Sequence, residues 1–127
     1  MTTYKSAVPV FAVADVAATA RWYQQNLGFD FHHFPEREPW EWAGMWHDSV
    51  EIMLQRVLNH QNPDLDRMRA GGVWDAYIRV RDARSLCDAL RQKMTIRREL
   101  CPMPYGELEF EIRDPNGYVL VFAERIE

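Results

Sequence analysis

The sequence predicts an α+β fold built from two βαβββ modules, and three observations predict it. The run Asp114-Pro115-Asn116-Gly117 suits a tight turn, because Asp and Pro fit its first two positions and Asn-Gly tolerates positive φ. It feeds directly into the strand-like run Tyr118 to Glu124, which closes the chain. Setting Val13-Ala14-Asp15 over Val80-Arg81-Asp82 places Phe11 over Ile78, Ala20 over Cys87, Tyr23 over Leu90 and Leu27 over Met94, so the chain repeats itself once. In each half an alternating strand ends at an Asp whose carboxylate can accept from the free amides of a first helical turn.

The elements follow in order. Ala7 to Ala14 reads as the first strand, Asp15 as the cap, and Ala20, Tyr23 and Leu27 as the core stripe of a helix that Gly28 stops. Phe29 to Phe34, Trp42 to His47 and Val50 to Arg56 are three further strands. Val57 to Gly72 carries Asn59, Asn62, Pro63, Asp64 and Gly71-Gly72, the composition of a linker, with a short helical turn near Leu65 to Arg69. The second half repeats the pattern: a strand into Val80, the Asp82 cap, and a helix with Leu86, Ala89 and Leu90 in its core stripe. Strands at Thr95 to Leu100, Glu107 to Arg113 and Tyr118 to Glu124 complete it. One domain, 1–127, thus divides into modules at 5–56 and 73–127.

Composition narrows the function classes. A formal net charge of -4 argues against a nucleic-acid partner, which needs a basic face. No long apolar run or signal-like N-terminus is present, so no membrane association is expected and the cytoplasm is the default compartment. Cys87 and Cys101 lack metal-ligand spacing and read as free thiols. There is no Gly-rich phosphate loop, no Ser/His/Asp signature and no HExxH motif.

The segments Phe11 to Phe29 and Asp114 to Glu124 together make the chain resemble the glyoxalase, bleomycin-resistance and extradiol-dioxygenase superfamily, also called the vicinal oxygen chelate fold. That resemblance implies sheets curving into an incomplete barrel, helices outside, and a groove often completed in a homodimer. It also implies four groove positions that hold a divalent cation in the metalloenzymes. Here these fall on Val8, on Asp75, on Val121, and on either Glu51 or Met53. Valine coordinates nothing, and a site of at best Glu51 and Asp75 is weak, so neither a metal nor any other cofactor is expected. His32 and His33 are adjacent on a strand and point to opposite faces, so at most one can line the groove.

Trp42 and Trp46 share a face by parity, which is either an aromatic wall in the groove or the core beneath the first helix. Trp74 is assigned to the core with Ile78 and Val80, leaving Asp75, Tyr77 and Arg79 to the groove, while Trp22 is assigned to packing or an interface. The loop Pro35 to Pro39, which leads into Trp40, and the segment Cys101 to Gly106 are placed at the rim. The resulting expectation is a metal-free homodimeric protein of the bleomycin-resistance branch that sequesters a planar or aromatic compound able to carry positive charge. Its candidate ligand residues are Trp42, Trp46, Glu51, Met53, Asp75, Tyr77, Tyr105 and Val121, with no catalytic residue assigned. The alternatives are a divalent-metal lyase, isomerase, thiol transferase or dioxygenase of the same fold, and a scaffold domain without ligand.

Overall fold

The computed structural model describes residues 1–126; Glu127, the predicted end of the second module, lies outside them. The chain divides into two units, Met1–Gln61 and a second beginning at Asn62, so the boundary falls inside the predicted linker. In the first unit, β1 (Val10–Val13), α1 (Val16–Leu27), β2 (Asp30–Phe34), β3 (Trp42–His47) and β4 (Val50–Arg56) make a four-stranded sheet in the order β1-β4-β3-β2. In the second, β5 (Ala76–Arg79), α2 (Ala83–Arg91), β6 (Arg98–Pro102), β7 (Glu107–Arg113) and β8 (Val119–Arg125) repeat that topology as β5-β8-β7-β6. Each unit is therefore the predicted βαβββ module. β1 runs parallel to β4 and β5 parallel to β8, while the other pairings are antiparallel.

Both helices start as the sequence requires. The Asp15 carboxylate accepts from the Ala18 amide at 3.0 Å and the Asp82 carboxylate from the Ser85 amide at 3.1 Å, so each satisfies a free first-turn donor. Ser85 Oγ also donates to Asp82, and these two bonds hold the Asp82 carboxyl below its ordinary value. Gly28 ends α1 in the left-handed region at φ 74°, and its amide closes the last turn on the Tyr23 carbonyl. Each helix covers one face of its own sheet. In the first unit Phe11, Val13, Ala20, Tyr23, Met45, Ile52 and Leu54 are buried on that side, with Tyr23 edge-on to Phe29 at 5.8 Å. In the second the buried residues are Ile78, Ala83, Cys87, Leu90, Phe110, Ile112, Leu120 and Phe122. The repeat pairs Phe11 with Ile78, Ala20 with Cys87 and Tyr23 with Leu90 are all buried, as their alignment required.

Three local expectations need correction. β1 and β6 begin at Val10 and Arg98, three residues later than read from the sequence. Ala89 is exposed, and Ala83 and Cys87 complete the buried stripe of α2 with Leu90. The loop at 35–39 leads into Trp40, which is buried, stacked on His33 at 3.5 Å and covered by the Arg21 guanidinium at 5.0 Å on the helix side of the first sheet. Trp74 is not core, being 43% exposed. The linker forms one 3-10 turn at Leu65–Met68, as expected. Both cysteines are free, and burial pushes the Cys87 thiol up, away from reactivity. No helix among the described residues is long and apolar enough to cross a membrane.

Candidate functional site

One face of each sheet carries the helix, and the other remains open. Strand alternation assigns the side chains. On the first unit's open face, cross-strand pairing joins Trp42 to Gln55, Gly44 to Met53, Trp46 to Glu51 and His32 to Gly44. Trp42 and Trp46 therefore lie on the open face, which settles the choice that sequence parity leaves undecided. The His32 ring stacks against Trp42 at 5.1 Å and tilts against Trp46 at 5.3 Å. The stack rests on Gly44, where a Cβ would stand 2.8 Å from both His32 Nε2 and Trp42 Cη2. Glycine is needed there so that two rings can lie flat on the strand. His33 points to the helix side, where its Nδ1 lies 3.0 Å from the Pro35 carbonyl oxygen.

Register also identifies the fourth-strand position. In the second unit Tyr77 pairs with Val121, and in the first unit the equivalent residue, Val10, pairs with Met53. Met53 is thus the counterpart of Val121, and Glu51 is one pleat away. The four positions that hold a cation in metalloenzymes of this topology carry Val8, Met53, Asp75 and Val121. Val121 is fully buried, and the Asp75 carboxylate already accepts from the Val119 amide at 2.8 Å. This donor set does not fit a hard divalent cation. Among the described residues no three His, Cys, Asp or Glu side chains stand close enough to hold a metal.

The second unit's open face is polar, and its centre is a feature that sequence reading missed. β7 alternates Glu107, Glu109 and Glu111 with Leu108, Phe110 and Ile112. The apolar set faces α2 and the three glutamates stand on the open side, each no more than 2% exposed. The alternation was visible as Glu-Leu-Glu-Phe-Glu-Ile, and parity from Val121, which pairs with Glu111, would have located it. Arg79 Nε and Nη2 donate to Glu107 Oε1 at 3.1 and 2.9 Å, with Arg125 at 3.5 Å. Glu111 accepts from Trp74 Nε1 at 3.1 Å and pairs with Arg97 and Arg98. That hydrogen bond draws Trp74 out of the core and onto this face, where its ring lies 5.3 Å from Tyr77.

Glu109, between them, accepts from the Tyr77 and Tyr105 hydroxyls at 2.6 and 2.7 Å, both on Oε2. Tyr77 and Tyr105 thus both meet Glu109, while the Asp75 carboxylate is occupied with backbone. Burial, and then the hydrogen bond to Glu109, push Tyr105 up to about 12 and Tyr77 well above its ordinary 10.0. Tyr105 remains 52% exposed, but its hydroxyl is turned in on the carboxylate.

Because these phenols hold their protons in the folded state after the unfolded chain has lost its own, they stabilise the fold fully below pH 10.0. That contribution is lost as pH rises from 10.0 to about 12 for Tyr105, and higher still for Tyr77. A spectrophotometric titration should show both phenols ionising late. Tyr105→Phe should remove one late step and flatten the loss of stability in that window. Ordinary ionisation of both tyrosines would contradict the Glu109 geometry.

A cavity of about 240 Å³ lies at one end of this face, lined by Asn62, Asp64, Asp66, Asp75, Arg113 and Val119. Its carboxylates are all engaged. Asp64 pairs with Arg67, and Asp66 accepts from the Val73 amide and pairs with Arg97 and Arg113.

Two four-stranded sheets of β1-β4-β3-β2 order, each with one helix on one face, define a class that comparison with known proteins makes specific. Residues 6–122 match the profile of the Glyoxalase/Bleomycin resistance protein/Dioxygenase superfamily, and the chain belongs to that family. No curated protein sequence matches. Among solved structures, a glyoxalase-related enzyme from Clostridium phytofermentans is similar with a TM-score of 0.77 at 14% identity, covering 98% of each chain. The bleomycin-binding protein of Streptomyces verticillus, solved with copper(II)-bleomycin, gives 0.72 at 23% identity, covering 96% of this chain and 97% of that one. An antibiotic binding protein from Streptomyces sp. CB03234 gives 0.63 at 20% identity, covering 98% and 99%. At these identities the likeness establishes the shared fold.

Proposed function

We propose that this chain is a metal-free binding protein that sequesters a planar or aromatic small molecule. The observation that carries the reading is the Trp42–His32 stack over Gly44 on an open sheet face, with Trp46 tilted against His32 and left 38% exposed. Exposed, pre-stacked rings offer a large apolar contact to a flat ligand at little cost in side-chain freedom. Sequestration needs no general base and no metal, which agrees with Val8, Met53 and Val121 at the ligand positions. Two structural neighbours are described as binding bleomycin and an antibiotic, and that supports the same use of the fold here. The working form is a homodimer, because a second copy would cover the first sheet's open face, where Trp46 and Glu51 stand exposed.

The test is a fluorescence titration with bleomycin and a series of uncharged planar aromatics, run beside light scattering and elemental analysis. Saturable quenching of tryptophan emission is expected. Trp46→Ala should weaken binding by more than about 1 kcal/mol while leaving the melting temperature nearly unchanged, because the ring is partly exposed and leaves no sealed cavity. Absence of quenching by every planar probe, or one equivalent of bound metal after chelator-free purification, would refute the proposal.

A further inference from the structure

The three glutamates of β7 differ in how their charge is balanced. Glu107 has Arg79 and Arg125, and Glu111 has Arg97 and Arg98. Glu109 is 1% exposed and has no ion-pair partner among the described residues; it receives two phenol hydroxyls, both on Oε2. Its Oε1 is buried without a hydrogen-bond partner, and so is Glu107 Oε2 on the same face two residues away. A buried carboxylate with a vacant oxygen and no countercharge costs several kcal/mol, so such groups persist where something else completes them. The residues opposite Glu109 on the neighbouring strands, Ala123 and Cys101, have small side chains and bring no charge to the carboxylate. The cavity near Asp66 offers no comparable vacancy, since its carboxylates already have partners.

We infer that Glu109 is the anchor for a cationic N–H group on the bound ligand, an ammonium, amidinium or guanidinium, with Glu107 Oε2 as a second acceptor. This inference rests on the binding reading above and names the chemistry of the ligand's polar end. The ligand cation supplies the charge that the protein withholds from Glu109. The two vacant oxygens stand on the same face, on residues about 7 Å apart along the strand. Tyr77 and Tyr105 flank the position with aromatic rings that favour a cation over a neutral group. Arg79 lies over the Tyr77 ring at 5.3 Å, which disfavours a second positive charge on that side and confines the cation to Glu109.

The experiment compares three probes of one shape: naphthylmethylammonium, its trimethylammonium analogue and uncharged naphthylmethanol. Calorimetry on the wild-type protein should find the primary ammonium bound at least about tenfold more tightly than the alcohol, since a hydrogen bond to an ionised partner contributes on that order. The trimethylammonium probe, with no N–H to donate, should gain much less. Glu109→Gln keeps the side-chain shape and should abolish the preference for the ammonium over the alcohol; Glu107→Gln should reduce the preference in part. Equal binding of ammonium and alcohol to the wild-type protein would overturn the anchor while the planar-ligand reading stood. A preference that survives Glu109→Gln would also overturn it. If no probe binds the wild-type protein, both readings fall. The wild-type comparison decides the matter even if Glu109→Gln fails to fold.

Discussion

Phe110→Ala is expected to destabilise the protein by about 3–5 kcal/mol, the range for removing a large buried aromatic and leaving a void. Phe110 is fully buried on the α2 side of β7 and stacks on Phe122 at 5.2 Å with the ring planes 21° apart. It sits between Glu109 and Glu111 in sequence and faces away from both. The same strand therefore holds the core on one side and presents the carboxylates on the other. Denaturant unfolding should show a lower midpoint at unchanged slope. Phe110→Leu, which keeps most of the volume, should cost less than about 1.5 kcal/mol. A loss below about 1 kcal/mol for the alanine variant would mean that β7 does not anchor the second core.

Arg97→Ala carries the second largest expected loss, about 3 kcal/mol, at the low end of the range for stranding a buried charge. Arg97 bridges Glu111, which is fully buried, and Asp66 of the linker turn at 2.6 Å. It thereby ties the 3-10 turn to the open face of the second sheet. The loss stays at the low end because Arg98 still reaches Glu111 and Arg113 still reaches Asp66. Replacing the pair with apolar residues, Arg97→Met with Glu111→Leu, should cost less than Arg97→Ala alone, because no charge is then left buried without its partner. Thermal unfolding of both variants checks this. A double variant less stable than the single would show that the pair stabilises the fold beyond mutual neutralisation.

Much of this protein was legible because its signals are local. The Asp15 and Asp82 caps, Gly28, the turn at 114–117 and the repeat in the buried positions each depend on a few neighbouring residues and their backbone preferences. Strand alternation also separated Tyr77 from Ile78 and His32 from His33 correctly. The misplacement of Trp74 has a tertiary cause. Trp74 lies just before β5, where alternation no longer applies, and the buried carboxylate of Glu111 from a distant strand draws its indole out of the core. Trp40 lies outside the strands, and its place was set by stacking on His33 and by Arg21 from α1.

By itself the sequence determined the βαβββ repeat, the capped helices, the buried repeat pairs Phe11/Ile78, Ala20/Cys87 and Tyr23/Leu90, and the apolar residues at Val8 and Val121. Those follow from period, cap chemistry and turn chemistry within a single segment. Only the tertiary structure decided that Met53 rather than Glu51 matches Val121, that Trp42 and Trp46 lie on the open face, and that Glu109, alone of the three glutamates, has no ion-pair partner among the described residues. Each of these depends on which strand lies beside which, and on which arginines reach across the sheet. Residues as far apart in sequence as Tyr77 and Glu109 meet only because β5 and β7 flank β8.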